Sequence, residues 1–484
     1  MTFVFNHRLS CRLIGMLLII MAASMLLPIA VSLYYRDGAQ FGLVFSASAI
    51  LLLGLLFRNI LGRKATYVLR SRESYWITSV VWIAIPLAGS LPYLFTGTFT
   101  HFTDAAFESF SGFTTTGSSV LPYPEQIPQG VLVWRAMSQW VGGLGLILFV
   151  VALLRRFSNG SQLLYEAEFS GTMQRKLHPR ISKSVDRMWR MYSFITLLLI
   201  GALLLCGNTP LDSFCLALSV VSTGGFAIRH NGMTSFDDST LIVVTIFMFL
   251  SGINMALLYL FFTLKWRKIR QGDEFRTYLI IFFVAVVVST AAFFIAGNGF
   301  RTSISYSLFH IASTISTCGF FLQRPTHWSF VVSMVTLILI FIGASSGSTG
   351  GGIKIKRILI LWRYVRNYFT RMIHPNAVFC VKVDDIVIDD EYNNKIFAFV
   401  FLYIAFALGG AFVLTLSGCS LPDSVCMAAA NIGNLGPSPL INNLGASLNY
   451  VLLPDLAKWA LMFLMLAGRV EIFALMALFQ RFVR

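Results

Sequence analysis

Four segments of the chain each end in a short run of small and polar residues that finishes at a glycine. Aligned on those glycines, the runs are Thr115-Thr116-Gly117, Ser222-Thr223-Gly224, Thr317-Cys318-Gly319 and Asn434-Leu435-Gly436. Rings of backbone carbonyl oxygens replace the hydration shell of K⁺ in selective pores, and glycine readily adopts the backbone angles that turn carbonyls toward an axis. The four runs therefore predict a filter in which potassium is bound by the main-chain oxygens of these residues.

Each run follows a short apolar stretch that is typical of a half-helix entering a membrane from one side. Three of the stretches carry a phenylalanine ten residues before the glycine, at Phe107, Phe214 and Phe309. The candidate N-caps of the four half-helices are Asp104, Asp212, Ser307 and Asp423. These caps predict half-helices of about ten residues, whose negative C-terminal ends favour a cation at the axis.

Close helix packing is the alternative explanation for these small residues. Gly, Ser and Thr are common wherever membrane helices approach one another closely, and for any single segment this explanation is as good as a filter. Four copies in the same register favour a pore, because one copy encloses nothing while four copies around an axis enclose a channel.

The composition indicates a membrane protein. Of the 484 residues, 56% are apolar and 12% are charged, whereas soluble domains are roughly 25% charged. Runs of roughly 20 apolar residues are long enough to span a bilayer. Ten spans are predicted, at 13–34, 41–57, 75–95, 131–154, 191–206, 240–264, 278–296, 329–361, 396–417 and 459–480. The predicted fold class is therefore an all-α polytopic membrane protein.

The distribution of Lys and Arg predicts the orientation in the membrane. Most of the 37 basic residues fall in loops on the side of the two termini, and cytoplasmic loops are the ones enriched in Lys and Arg. The remaining basic residues are Arg36, Arg135, Arg229, Arg301, Arg324 and Lys458 on the opposite side, with Arg469 inside the last span. Both termini are expected in the cytoplasm, so the four filter segments face the exterior. The net charge of +16 reflects this topology and does not indicate nucleic-acid binding.

The spans and filter segments together divide the chain into five units. The order span, half-helix, filter run, span recurs four times after two extra N-terminal spans. The predicted architecture is four membrane-pore-membrane repeats around a pseudo-fourfold axis. The expected boundaries are 1–70 for the two-helix unit, then 71–160, 161–270, 271–375 (with a broken second helix) and 376–484 for the repeats.

A glycine-rich stretch, 343–352, interrupts the eighth predicted span. It is followed by Ile353 and Lys354, and so lacks the Gly-Lys-Ser/Thr ending of a phosphate-binding loop. Gly343, Ser345 and Gly347 match the spacing of a nucleophile elbow, but that motif needs a preceding strand and a His/acid pair. The seven cysteines form no CxxC pair, so neither zinc nor disulfides are expected. The sequence predicts no enzyme; a flexible kink remains one explanation of the glycines.

Taken together, these features resemble the potassium transporter superfamily that contains the bacterial Trk and Ktr pore subunits and the plant HKT transporters. The sequence is most similar to the TrkH/TrkG branch, and the resemblance extends over essentially the whole chain. The matching motifs are Ser111–Ser118, Gly224–Phe226, Ser316–Phe320 and Asn434–Pro437 in the filter, and Gly347–Lys354, His374–Asn376 and Gly468–Phe473 outside it.

The resemblance implies a K⁺-transporting pore subunit in the bacterial inner membrane, paired as a homodimer and surrounded by lipid. It also implies a cytoplasmic partner of the TrkA type that binds nucleotides and regulates the pore, while this chain carries no cofactor of its own. Arg469 would place a positive charge near the ion path. An intramembrane gate below the filter would be formed by Gly343, Gly347, Ser348, Thr349, Gly350, Gly351 and Gly352.

Alternatives to these assignments stay open. Arg469 could instead form a local ion pair with Glu471, because a basic side chain inside a membrane helix needs a partner or water. The chain could be a secondary transporter that couples Na⁺ or H⁺ to a small solute. Such folds use inverted repeats with midplane sites, whereas the repeats predicted here share one orientation. His310, in the third half-helix, is interpreted as a packing residue.

Overall fold

The computed structural model describes residues 7–63, 71–145, 181–264, 272–322, 329–374, 380–384, 386–437, 450–470 and 472–478. These residues are mostly helical. The α-helices in chain order are α1 (His7–Ser24), α2 (Leu26–Tyr35), α3 (Gln40–Leu56), α4 (Ser71–Gly89), α5 (Leu91–Phe95), α6 (Phe102–Phe113), α7 (Gln129–Gly143), α8 (Ile181–Leu205), α9 (Pro210–Val221), α10 (Asp238–Ser251), α11 (Met255–Phe262), α12 (Asp273–Ile295), α13 (Phe300–Ile315), α14 (Phe330–Ile342), α15 (Ile355–Ile373), α16 (Asp390–Leu416), α17 (Leu421–Ile432), α18 (Asp455–Arg469) and α19 (Ile472–Ala477).

Six helical stretches of the described chain are long and apolar enough to cross a membrane. They are His7–Tyr35, Gln40–Leu61, Glu73–Phe95, Val185–Leu205, Asp273–Ile295 and Asp390–Leu416. A seventh candidate is the pair α10 and α11, which is bent by 114°. The span predicted at 240–264 is therefore divided into two helices, and a single span made of both stays a prediction. Asn254 explains the break, since its side chain caps α11 by accepting a hydrogen bond from the Ala256 N–H at 2.8 Å.

The remaining predicted spans differ from simple helices. The span predicted at 131–154 is described only as far as residue 145. The eighth and tenth predicted spans are divided, the eighth into α14 and α15 and the tenth into α18 and α19. The number of ten spans therefore stays a prediction.

Two glycines allow the N-terminal helices to cross closely. A methyl group on Gly15 would lie 2.7 Å from the Gly54 carbonyl oxygen, so α1 and α3 meet backbone to backbone. Small residues at crossings are the usual way for membrane helices to reach this distance. Asp37, in the loop after α2, accepts a hydrogen bond from the Gly130 N–H at 2.9 Å. This contact joins the N-terminal pair to the start of α7.

Two of the half-helices begin earlier than the sequence predicts. Thr209 and Ser420 are the N-caps of α9 and α17, and their side chains accept hydrogen bonds from the N–H groups of Asp212 and Asp423. The two aspartates therefore lie in the first helical turn, where a negative charge is favourable. Their assignment as caps is wrong, because a hydroxyl residue stands three positions earlier in each case.

The other two N-cap predictions are also wrong. Asp104 lies in the first turn of α6, which is preceded by His101. Ser307 lies in the middle of α13, which starts after Gly299 and has 16 residues. The third half-helix is thus longer than about ten residues, because the sequence after Gly299 contains no helix breaker before the filter.

A small hairpin, called the clasp below, lies at the start of α12. The strands β1 (Lys382–Val383) and β2 (Ile386–Val387) form an antiparallel hairpin. Asp384 lies in the turn of this hairpin and accepts a hydrogen bond from the Asp273 N–H at 2.9 Å. The Asp273 carboxylate forms an ion pair with Arg363 of α15 at 2.8 Å. The clasp therefore fixes the beginning of α12 against α15.

The His310 side chain lies in the buried packing behind the third half-helix. Its Nε2 lies 2.7 Å from the Thr336 hydroxyl of α14, and its ring stacks on Tyr306 with centroids 5.9 Å apart. These contacts fit the packing role that the sequence favoured.

Candidate cation pathway

Each half-helix ends in the same tight turn. Two positions past the helix end, the backbone is left-handed at Thr115, Thr223, Thr317 and Asn434, with φ between 51° and 58°. The next residue donates its N–H to the carbonyl five positions earlier, at 2.8–2.9 Å in all four segments. Glycine usually occupies the left-handed position of such a turn, and a residue strained there costs about 1–3 kcal/mol. Strain repeated at one point of four segments indicates a functional site.

A glycine with positive φ follows two positions after each left-handed residue. These glycines are Gly117 (φ 82°), Gly225 (φ 71°), Gly319 (φ 80°) and Gly436 (φ 80°). The sequence alignment placed Gly224 at this position, and the structure corrects the second segment by one residue. Ser222 is accordingly the helix cap, equivalent to Thr114. Two successive glycines made the alignment ambiguous, and the backbone angle distinguishes them.

The four segments close into a ring. A methyl group added to each of these glycines would overlap a carbonyl oxygen of the next segment, and the fourth segment meets the first in the same way. The pairs are Gly117 with Gly224, Gly225 with Cys318, Gly319 with Leu435, and Gly436 with Thr116. The ring contacts involve predicted filter residues from all four segments together with Gly225, whereas Ser222 lies at the helix end. Its main-chain oxygens are the groups that could hold a dehydrated cation.

A buried ion pair braces the first two segments. Glu108 of α6 and Arg135 of α7 lie 2.7 Å apart and are almost completely buried. Glu108 also accepts hydrogen bonds from the Ser119 hydroxyl and the Val120 N–H, and Arg135 donates to the Ala227 carbonyl at 3.2 Å. The pair thus holds the chain just after the ring glycines of segments one and two.

The pair of Glu108 and Arg135 was not predicted from the sequence. Arg135 was counted as an external residue, although it lies within α7. The signal in the sequence is that Arg135 stands at the edge of an apolar span and Glu108 stands inside an apolar half-helix. Because buried charges need partners, these two positions could have suggested an ion pair.

Two asparagines join the fourth segment to the first. The Asn431 Oδ1 accepts a hydrogen bond from the Ser118 hydroxyl at 2.8 Å. The Asn434 Nδ2 donates to the Thr116 Oγ1 at 3.0 Å and to the Met465 carbonyl of α18 at 2.9 Å. The closing contact of the ring is therefore supported by side chains as well as by backbone packing.

The glycine-rich stretch 343–352 lies against the ends of the half-helices. The Thr349 hydroxyl donates to the Val221 carbonyl at the end of α9, at 3.1 Å. The Gly351 N–H donates to the Thr317 hydroxyl at 2.7 Å, and a methyl group added to Gly351 would overlap the Gly433 carbonyl oxygen. The stretch, called the loop below, therefore contacts three of the four filter segments at their helix-end side.

The other end of the loop is fastened to the bend between α10 and α11. Asn254 donates its side-chain N–H to the Ser346 carbonyl at 2.6 Å, and the Met255 N–H donates to the Gly347 carbonyl at 3.1 Å. The Ser346 N–H in turn donates to the carboxylate of Glu274, a buried residue in the first turn of α12. Neither Asn254 nor Glu274 was singled out from the sequence, because their role depends on contacts that are distant along the chain.

Arg469 connects the loop with α7. Its Nη1 donates to the Thr349 carbonyl at 2.7 Å, and its Nη2 donates to the Gly142 and Gly143 carbonyls at 2.6 Å each. With Lys354, Arg357 and glycines of the loop, it lines a cavity of about 50 Å³. Glu471, the alternative partner suggested by the sequence, lies outside the described residues.

Comparison with known proteins identifies the family. The family model described as "TrkH: Cation transport protein" matches residues 45–482. The Trk system potassium uptake protein TrkH of Salmonella typhimurium is 31% identical, with 98% of each chain covered. TrkG of Escherichia coli is 29% identical, also with 98% coverage.

The fold agrees with that assignment. The crystal structure of the potassium transporter TrkH from Vibrio parahaemolyticus matches with a TM-score of 0.86 at 29% identity, covering 99% of both chains. These matches confirm the resemblance seen in the sequence and place the chain among transport proteins, not enzymes. The chain belongs to the TrkH family of cation transport proteins.

Proposed function

We propose that this chain is the potassium-conducting subunit of a Trk-type uptake system in the bacterial inner membrane. The closed ring formed by the four filter segments is the observation that carries the proposal. Carbonyl oxygens in such a ring can replace the water around K⁺. The names of the matched relatives, which are Trk system potassium uptake proteins, support potassium as the ion.

The proposed architecture has ten spans, with both termini in the cytoplasm. It consists of the two-helix unit 1–70 and four membrane-pore-membrane repeats at 71–160, 161–270, 271–375 and 376–484. The support is that each half-helix ends in the same turn and contributes one side of one ring. Four equivalent contributions around an axis are what a pseudo-fourfold arrangement of repeats provides.

The loop is proposed to be a gate in its closed position. It contacts the helix ends of segments two, three and four through Thr349, Gly351 and the Thr317 hydroxyl. A cation leaving the ring toward the cytoplasm would have to pass this backbone. The contacts with Asn254 and Glu274 are hydrogen bonds that must break or move with the loop when the path opens.

Arg469 is proposed to stabilise the closed gate and to oppose the passing cation. The hydrogen bond to the Thr349 carbonyl supports the first role, because it links the loop to α18. Its positive charge beside the loop supports the second role, since like charges repel over short distances in a partly desolvated site.

The partners proposed for the chain are a second copy of itself, membrane lipids and a nucleotide-binding regulatory subunit of the TrkA type. Lipid contact is supported by strongly exposed apolar side chains such as Leu205 and Phe330. The basic α15 and the clasp at Asp384 would provide a cytoplasmic surface from which a regulator could act on the loop.

Rubidium uptake into reconstituted vesicles tests this function. The expected result is uptake driven by an imposed potential without any added solute, with faster uptake after deletion of several residues of 343–352 and an unchanged preference for K⁺ over Na⁺. Uptake that requires a co-transported solute would contradict the proposal and favour a secondary transporter. A folded deletion variant with unaltered uptake would reduce the loop to a structural kink.

A further inference from the structure

The middle position of the filter differs between the segments. In register, this position is occupied by Thr116, Gly224, Cys318 and Leu435. The side chains of Thr116, Cys318 and Leu435 are buried. The first, third and fourth segments therefore fill the space behind their own backbone. The second segment has no side chain with which to do so.

Gln139 of α7 occupies the space that the second segment leaves. It is fully buried, and a methyl group on Gly224 would find the Gln139 carboxamide as its nearest neighbours, with the oxygen at 2.6 Å and the nitrogen at 2.7 Å. The φ of Gly224 is not in the left-handed region, so the backbone itself would accept a side chain. The neighbouring glutamine is therefore the reason why this position is glycine.

The same carboxamide holds the second segment by hydrogen bonds. Its Nε2 donates to the Gly224 carbonyl at 2.7 Å, and its Oε1 accepts from the Ser219 hydroxyl at 2.6 Å and from the Phe226 N–H at 3.4 Å. The Gly224 carbonyl is also the ring oxygen that faces Gly117. Gln139 thus acts on one of the four ring oxygens directly.

We propose that Gln139 is a selectivity-determining positioning residue of the filter. It replaces the missing side chain of the second segment and fixes the direction of the Gly224 carbonyl. Because one lone pair of that oxygen is engaged by the amide, the second segment is a weaker ligand than it would be with a free carbonyl, and the ring is asymmetric. This inference rests on the proposed filter function.

Gln139→Met tests the hydrogen bonds, because it keeps the length of the side chain and removes its polar atoms. The K⁺/Na⁺ permeability ratio, measured from reversal potentials in planar bilayers, is expected to fall about tenfold, the factor that corresponds to about 1.4 kcal/mol. Gln129→Met, at the first position of the same helix, is the matched control and should keep the ratio. A Gln139→Met protein with the normal ratio overturns the proposal.

An exchange of side chains tests the packing. Gly224→Cys introduces the residue of segment three and should lose K⁺ uptake, since the new side chain overlaps Gln139. Combining it with Gln139→Ala removes the overlap and should restore uptake above that of Gly224→Cys. Two results would contradict the packing of Gln139 against Gly224. One is K⁺ uptake by the double variant that is no higher than that of Gly224→Cys, and the other is normal uptake by Gly224→Cys.

A third variant separates this inference from the filter itself. If Gly319→Ser lowers the permeability ratio while Gln139→Met does not, the filter stands and the role of Gln139 is wrong. If Gly117→Ser, Gly225→Ser, Gly319→Ser and Gly436→Ser all keep the ratio as well, the filter assignment is wrong. If Gln139→Met fails to accumulate in membranes, the comparison of Gly224→Cys with the Gly224→Cys/Gln139→Ala double variant decides. Failure of these two variants to accumulate overturns the proposal.

Discussion

Removal of the Arg469 guanidinium is expected to increase cation flux. The hydrogen bond from Arg469 to the Thr349 carbonyl ends on the loop, and those to the Gly142 and Gly143 carbonyls end on α7. Arg469→Ala therefore releases the loop from α18 while the ring itself keeps its contacts. The change also removes a positive charge from the cavity that the loop shares with Lys354 and Arg357.

The size of the effect follows from these contacts. A hydrogen bond to a charged group contributes about 1.5–3 kcal/mol, and the bond to the Thr349 carbonyl is present with the loop docked and broken with the loop displaced. Loss of that bond raises the open population about 10- to 150-fold while the closed state still dominates. A unit charge about 6–8 Å from the ion adds on the order of 2–3 kcal/mol of repulsion at an effective dielectric constant of 20, so its removal acts in the same direction.

Rubidium flux per molecule, measured in vesicles together with the amount of folded protein, checks this prediction. Arg469→Lys should give a smaller increase, because it keeps the charge and loses the planar fork of donors. Arg357→Ala removes a charge from the same cavity and leaves the bond to Thr349 intact. It should therefore increase flux mainly at low salt, where screening is weak.

Two results would contradict the proposed role of Arg469. Unchanged flux per molecule with a normal yield would show that the bond to Thr349 does not hold a gate. A lower yield without any gain in flux would assign Arg469 a purely structural role.

Two further predictions concern the buried contacts around the ring. Glu108→Gln leaves Arg135 buried without its charged partner, which is expected to destabilise the protein by about 3–5 kcal/mol and to lower its melting temperature in detergent; an unchanged melting curve would argue against the brace. Thr317→Val removes the acceptor of the Gly351 N–H, which costs about 1–3 kcal/mol for an unsatisfied buried group and should raise basal rubidium flux. Thr223→Val is the control, because it also removes a filter hydroxyl, one that donates to the Ser222 carbonyl and not to the loop. Equal fluxes in the two variants would contradict a role of the Thr317 hydroxyl in holding the loop.

The sequence was sufficient to predict the four turn segments of the proposed filter because their signals are local. Glycines such as Gly117 and Gly319, and the apolar stretches before them, determine the turn at each helix end within a few residues. The glycine-rich loop was visible for the same reason, since ten residues of small side chains interrupt an apolar run. The family resemblance then supplied the order of the parts.

The features that the sequence did not reveal depend on contacts between distant positions. Gln139 meets Gly224 after 85 residues, and Glu108 meets Arg135 after 27, distances at which spacing carries no signal. The choice between Gly224 and Gly225 required backbone angles, which composition does not provide. The caps Thr209 and Ser420 were missed because the aspartates that follow them are equally good cap residues.

The K⁺/Na⁺ selectivity proposed for the chain depends on the ring of four glycines. The K⁺/Na⁺ permeability ratio should be determined for Gly117→Ser, Gly225→Ser, Gly319→Ser and Gly436→Ser, beside Gly418→Ser as the control. Gly418 also has a positive φ, of 92°, but no neighbouring atom within 4 Å of an added methyl group, so it shares the backbone strain without the ring contact. We expect a reduced ratio or lost K⁺ uptake in all four ring variants and a normal ratio in the control. Four ring variants that fold and keep the normal ratio would contradict this role of the ring.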